Sequence, residues 1–296
     1  MNMIKTSSGD IGLVVAEAIR EVMTKATAGM TVATYIEAES PVGWDALGDA
    51  GWDLSGVIED KDSATLRDLV EIAGAWGSTL IQLPLMTTIL AKRHSAAAAE
   101  TDGPITFSIP IQSIAEPSGF VPFGQVPDIS IVDSFEGGGM VHPFAQGATL
   151  EFAPSLLAAV TPVTTVLSDD VRRELAVVWA AEAVGSARRV LLDAVEFAKQ
   201  RQQFGKPIGS FQAVKHHLAN AHVAAEFAET ASIWASLQPE DSERAITQSF
   251  KEALRSVQLS IQVYGGLGFT WEMGLHFYLR HITTLRELAK GVQRNA

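Results

Sequence analysis

The residues whose types and spacing suit chemistry fall into two runs. The first is Arg201-Gln-Gln-Phe204-Gly205-Lys206-Pro207-Ile208-Gly-Ser-Phe211-Gln212. Arg201 offers a guanidinium fork to a phosphate. Phe204 offers a face to a flat ring, and Gly205 allows close backbone approach. Gln212 stands at a helix start, where free amides favour anions. The second run is Gln262-Val-Tyr264-Gly265-Gly266-Leu267-Gly268-Phe269-Thr270-Trp271-Glu272. Its three glycines permit positive φ and bring backbone N–H groups toward a ligand. GGLG follows a helical pattern rather than a strand, so it is not the dinucleotide fingerprint GxGxxG. Taken alone, each run also reads as a connector between helices, with Arg201 balancing a helix C-terminus.

The elements that must position these runs are helical. Ser168 and Asp169 are N-cap candidates for a helix reaching about Gln203. Apolar residues at three- and four-residue steps predict further helices over 211–237, 242–264 and 272–292. Four such segments with short connectors predict an antiparallel four-helix bundle. Residues 12–27, 66–76 and 78–99 also read as helical, with Ser63 as an N-cap and 37–62 as a connecting loop. Between these regions, ITFSIPI (105–111), DISIVD (128–133) and ATLEFA (148–153) read as short strands, and EGGGM (136–140) as a turn. The expected fold is mostly α with a small β domain. It divides into a helical N-terminal domain (1–103), an abbreviated β domain (104–155) and a C-terminal four-helix bundle (156–296).

Composition narrows the function. The 296 residues carry 34 acidic and 22 basic side chains, a net charge of −12, which argues against a nucleic-acid partner. There is no cysteine, which excludes disulfides, thiolate nucleophiles and Cys-ligated metal. His216, His217 and His222 share one helix, but no Glu-x-x-His occurs, so no di-iron or other metal site is expected. The first residues lack the apolar core of a signal peptide, and no uncharged run of eighteen apolar residues exists. A cytoplasmic protein with no membrane partner is expected.

Together the two runs are specific. RxxFGxxIxxFQ over 201–212, followed by QxxGGxGF over 262–269, resembles the acyl-CoA dehydrogenase family. The resemblance is nearly continuous over 183–216 and 261–281, with Arg280 at the family's usual Arg position; it is weak over 1–103 and only architectural over 104–153. It implies a flavoprotein that binds FAD and oxidises acyl-CoA thioesters to 2-enoyl-CoA. A carboxylate removes the α-proton while a hydride leaves the β-carbon. Arg201, Phe204, Gln212, Gln262, Gly265 and Gly266 match family residues that contact FAD across a subunit interface. Electron-transfer flavoprotein is the implied acceptor.

Two departures shape the expectation. The family's T-E-P-x-x-G-S-D flavin cover is reduced to Ala115-Glu116-Pro117-Ser118-Gly119. Counting from Arg280, the family's catalytic base falls on Ala289, or on Lys290 with a one-residue shift that matches Gly291. Glu287 is about 200° from Ala289 around a helix and faces elsewhere. Some family members place the base on the first bundle helix, near Glu174, which also reads as a first-turn glutamate at a helix N-terminus. Glu272 reads as a helix cap. The expectation is one subunit of an FAD-dependent acyl-CoA dehydrogenase in an α2β2 heterotetramer. A second acyl-CoA dehydrogenase-like subunit would supply the flavin cover and the base. The resemblance to the sterol-degrading branch implies a steroid-CoA substrate. The alternatives are a self-sufficient homo-oligomer using Glu174 and a non-enzymatic helical scaffold.

Overall fold

The computed structural model describes residues 10–38, 40–59, 63–111, 118–137, 139–145 and 147–294. The N-terminal region is helical: α1 (Asp10–Ala26), α2 (Val32–Glu37), α3 (Trp44–Asp49), α4 (Leu66–Gly77), α5 (Leu85–His94) and α6 (Ala96–Ala99). The cap of α4 is Thr65 rather than Ser63. Its Oγ1 accepts from the Asp68 amide (3.2 Å), while Asp68 Oδ2 accepts from the Thr65 amide (2.9 Å). Ser63 instead accepts from the Glu59 amide. The helix expected over 78–99 breaks, because Pro84 cannot donate within a helix and serves as the cap of α5. The expected loop over 37–62 holds α3 and a 3₁₀ turn at Trp52–Leu54.

The β region holds β1 (Ile105–Phe107), β2 (Ile109–Ile111), β3 (Ser118–Val121), β4 (Ser130–Val132), β5 (Val141–Pro143), β6 (Ala148–Thr149) and β7 (Ala159–Thr161). The run 105–111 is two strands in two sheets. One sheet has the order β1-β4-β5, with β1 parallel to β4; the other runs β2-β3-β7-β6, antiparallel throughout. Because β7 lies between β3 and β6, the sheet continues past residue 155. The Ala115–Pro117 part of the reduced flavin cover lies outside the described residues; Ser118 and Gly119 open β3.

The C-terminal region is α7 (Asp169–Gln200), the hairpin β8 (Gln202–Gln203) and β9 (Lys206–Pro207), α8 (Gln212–Leu237), α9 (Ser242–Tyr264) and α10 (Leu275–Arg294). Ser168 caps α7 as expected, its Oγ accepting from the Val171 amide. The α8–α9 seam is lined by buried Ala221, Ala224, Ala225 and Ala228. Such small residues let the helices close until Ser249 and Ser256 donate to the carbonyls of Ala228 and Ala221, each at 2.8 Å. The fourth helix begins at Leu275 rather than 272, so Glu272 precedes it in an exposed turn. Among the described residues no helix is long and apolar enough to cross a membrane.

The helical N-terminal region is fastened to the bundle where α4 crosses α7. A Cβ added at Gly185 would lie 1.9 Å from the Gly74 carbonyl oxygen, and one at Gly77 would lie 2.0 Å from that of Glu182. Ser186 Oγ donates to the Gly77 carbonyl at 2.6 Å. Gly185→Ala should therefore destabilise the protein by about 1–3 kcal/mol, although Ala is the better helix former. Urea unfolding of the variant checks this; an unchanged midpoint would mean the crossing can open without cost.

Candidate functional site

Both runs singled out in the sequence lie at one end of the bundle, because α7 and α9 end there and α8 and α10 begin there. Phe197 and Tyr264 lock that end, stacking at 4.3 Å between ring centroids and 23° between planes. The first run folds as a two-residue hairpin. Gln203 pairs with Lys206, and the loop residues Phe204 and Gly205 have φ of +53° and +77°. Two positive φ values are what a type I′ turn requires, and they match the twist of its strands. Glycine takes such a value freely; a phenylalanine there is strained. The turn throws the Phe204 ring outward, leaving it 92% exposed. Phe211 meets that ring edge-on at 6.1 Å, and Lys206 Nζ stands 4.4 Å over Phe211.

The neighbouring groups are equally open. Arg201 is exposed, and its guanidinium makes no hydrogen bond or ion pair among the described residues. Gln212 is the first residue of α8, whose N-cap Phe211 supplies no side-chain acceptor, so the first amides of the helix remain free. In the second run, Gly265 adopts φ +60° and ψ −137°, a conformation open to glycine. A Cβ on Gly265 or Gly266 would meet nothing within 4 Å. Phe269 is 78% exposed, and Trp271 is pinned by its Nε1–H donating to Glu37 Oε1 at 2.7 Å. The six expected cofactor-contacting residues, Arg201, Phe204, Gln212, Gln262, Gly265 and Gly266, thus share one exposed ledge of cations, free amides and ring faces. Such a ledge fits a pyrophosphate and a flat ring.

The opposite situation holds where the N-terminal helices, the β region, α7 and α10 meet. The cavity there is about 10 Å³, lined by Trp76, Met86, Phe123, Trp179, Glu182 and Leu288. That is at most room for a single water, whereas ligand pockets usually run to about 300–1,000 Å³. A buried polar array closes one side. Ser155 Oγ lies 2.9 Å from His281 Nδ1, and His281 Nε2 lies 3.3 Å from Glu182 Oε1. Its three members are far apart in sequence, so no spacing signal points to it. Arg280, expected at the family's Arg position, donates instead to the carbonyls of Glu151 and Phe152, with Nη2 2.6 Å from the latter. It clamps the end of the β region to α10.

The residues weighed as a base are placed differently from one another. Ala289 is buried, and Lys290 is ion-paired at 3.1 Å with Glu287. Burial raises the Glu287 carboxyl, but Lys290 and Arg286 outweigh it and hold it below its ordinary value. Glu174 lies in the second turn of α7, not the first. It is buried, 2.8 Å from Arg93 Nε and 3.0 Å from His94 Nε2. Burial pushes its carboxyl up, yet the His94 hydrogen bond and the Arg93 charge together pull it below its ordinary value. His216 and His217 are exposed, and no group of potential metal ligands exists among the described residues.

The depressed value makes Glu174 a pH-dependent tie between α5 and α7. Its contribution is complete above the unfolded carboxyl value and is lost as pH falls through the lower folded value. Glu174→Gln should destabilise the chain by about 3–5 kcal/mol at pH 7, because Arg93 is left buried and unpaired. The gap between wild type and variant should narrow in denaturant melts taken progressively below about pH 4.5. A gap constant with pH would place the loss elsewhere.

Residues 175–293 match the family model for the acyl-CoA dehydrogenase C-terminal domain. The acyl-CoA dehydrogenase IpdE2 of Mycolicibacterium smegmatis is 30% identical over 230 residues, 73% of this chain and 72% of that protein. The ChsE4–ChsE5 complex from Mycobacterium tuberculosis contains a chain of the same fold, with TM-score 0.71 and 17% identity over 99% of this chain and 97% of that one. The Tcur3481–Tcur3483 steroid ACAD G363A variant gives TM-score 0.69 and 17% identity over 96% of each chain. A likeness at 30% identity that spans nearly three quarters of both proteins, beside a family-model match that takes in both motifs, decides the matter: this chain belongs to the acyl-CoA dehydrogenase family, the FAD-dependent oxidoreductases of acyl-CoA thioesters.

Proposed function

We propose that this chain is the flavin-supporting subunit of a two-chain acyl-CoA dehydrogenase, and that a longer homologous subunit contributes the flavin cover and the catalytic base. One observation carries the reading. The ledge of Arg201, Phe204, Gln212, Gln262, Gly265 and Gly266 is open to a second body, while among the described residues the cavity between Trp76, Phe123, Trp179 and Leu288 holds about 10 Å³.

FAD, when bound, supplies the acceptor for the hydride that leaves the substrate β-carbon. The residues of this chain bind and orient. Arg201 neutralises pyrophosphate charge, and the free amides at the start of α8, with Gln212 beside them, add hydrogen bonds. Phe204 offers its face to a ring, and the Gly265–Gly266 backbone lets the cofactor approach closely. Proton removal needs a carboxylate, and among the described residues none of the positions weighed as the base offers a free one. Ala289 and Lys290 cannot serve, Glu287 is held by two cations, and Glu174 is held by Arg93 and His94.

The partner fits a second exposed feature. Val223, Phe227 and Trp234 project from one stripe of α8 at 48%, 59% and 42% exposure. Phe227 and Trp234 line a groove of about 390 Å³ between α8 and the start of α9. An apolar stripe on the helix that begins at the ledge suits bundle-to-bundle contact with a homologous subunit. An α2β2 assembly with FAD at the unlike interface follows, with electron-transfer flavoprotein as acceptor. A bulky steroid-CoA is the substrate class we favour. One of the proteins sharing this fold is a steroid ACAD, and an assembly with fewer, wider sites suits a large acyl group.

Two experiments test this. Arg201→Ala in the assembled enzyme should weaken FAD retention roughly tenfold to hundredfold, since one charge-assisted contact to pyrophosphate is lost. Unchanged affinity in a folded variant removes Arg201 from the cofactor contacts. Separately, the chain expressed alone should be colourless or insoluble. Co-expressed with its longer homologue it should be yellow and should reduce ferrocenium in the presence of acyl-CoA. Full flavin occupancy and turnover by the chain alone, abolished by Glu174→Gln, would establish the self-sufficient enzyme instead.

A further inference from the structure

We propose that the cleft between α1, α4, α7 and α8 binds a small aliphatic monocarboxylate, at a site separate from the flavin ledge. The cleft holds about 290 Å³ and lies where the N-terminal helices meet the bundle. Junctions between structural units are where ligand sites concentrate. Its floor is the α4–α7 crossing, where Gly74 leaves room that a larger residue would fill. Apolar side chains such as Val184, Leu192 and Ile233 form the walls. A hydrocarbon body suits that lining.

The polar inventory sets the sign of the head group. Arg20, Arg188 and Arg189 stand around the cleft, as do Glu71 and Glu229. Both carboxylates are already engaged, Glu71 by Arg67 at 2.7 Å and Glu229 by Arg188. Arg189 is spent on Asp193, donating from Nε to both carboxylate oxygens at 2.9–3.0 Å. The donors are not exhausted. Arg20 makes no hydrogen bond or ion pair among the described residues. Arg188 keeps a buried Nε–H with no partner, although its Nη2 serves Glu226 and Glu229. Unmatched donors with occupied acceptors call for a ligand that brings acceptors, and a buried orphan N–H is costly until it finds one. A carboxylate also answers the free charge of Arg20.

The site is distinct from the ledge. Arg188 and Arg201 lie thirteen residues apart on α7 and its C-cap, roughly 20 Å along the axis. Occupancy would tie α1 and α4 to α7 and α8, and so raise the melting temperature.

The test is calorimetric titration of the full chain, in its assembled form, with hexanoate, hexanol and hexylammonium. Hexanoate should bind with a dissociation constant in the millimolar range or tighter, and hexylammonium should not bind. Arg20→Gln should weaken hexanoate roughly tenfold or more. Gly74→Val should abolish binding by filling the floor, since a Cβ there meets only the Ala181 carbonyl oxygen, at a comfortable 3.8 Å. If Gly74→Val fails to fold, Arg20→Gln decides alone. Flavin content should be the same in wild type and in both variants, which separates this site from the ledge. No hexanoate binding at roughly 10 mM, equal binding of hexylammonium, or affinity untouched by Arg20→Gln overturns the proposal.

Discussion

The backbone contact between α4 and α7 is the constraint on which the rest of the structure depends. Gly77 and Gly185 bring two helix backbones closer than a side chain at either position would allow. That contact fixes the N-terminal helices against the first half of α7, which is buried on every side from Glu174 to Ala187. An amphipathic helix has one wet face; this half has none, so its glutamates must find partners indoors. Glu174 takes Arg93 and His94, while Glu182 Oε1 has only the His281 ring nitrogen 3.3 Å away, outside hydrogen-bond geometry. The Glu174 ion pair follows from the crossing rather than the other way round, because a desolvated carboxylate is tolerable as an anion only when paired.

The second half of α7 emerges from this packing and ends at the ledge. One helix therefore joins two regions of opposite character. Around Trp179 and Glu182, aromatic and aliphatic side chains fill the space and Arg280 clamps the β region down through the Phe152 carbonyl. Around Arg201, a strained hairpin holds Phe204 in water, and the glycine turn after α9 leaves its backbone uncovered. Strain and exposure of this kind persist where something else uses them. Under the proposed function that something is the cofactor, and the ledge has the chemistry for it.

The bundle was largely legible in the sequence because its signals are local. Ser168 announces α7 through its own hydroxyl, and the glycines at 205 and 265 mark the two turns at the ledge end. The β region was less legible, since its strands are two to four residues long and a period of two cannot declare itself over so few positions. The run 105–111 looked like one strand and is two, because Ser108 turns aside to take Thr165 Oγ1 on its amide and the Val163 carbonyl on its hydroxyl. The cap of α4 was misplaced by two residues, since Ser63 and Thr65 are equally eligible and only the reciprocal bond with Asp68 decides between them. The Ser155–His281–Glu182 array was invisible, because its members meet only through the packing of α7, α10 and the segment before β7.

On the two-chain reading, the missing base and the filled junction belong together. A chain that had merely lost a carboxylate at Ala289 would keep a vacant cleft beside it, lined for an acyl chain and costly to leave empty. Here the space beside α10 is taken by Trp76, Met86, Trp179 and Leu288, and the β region is held against it by two polar ties from neighbouring positions on one helix, Arg280 to Phe152 and His281 to Ser155. Closing the junction turns would-be pocket surface into core, where each buried side chain adds transfer free energy instead of lining a void. It also stiffens α10 and the segment leading into it, and that segment carries Gly265, Gly266 and Trp271. On the two-chain reading, the sealed half is thus the support of the open one: a ledge that must receive a neighbour's cofactor without a pocket of its own needs a rigid floor beneath it, and the packed junction is that floor.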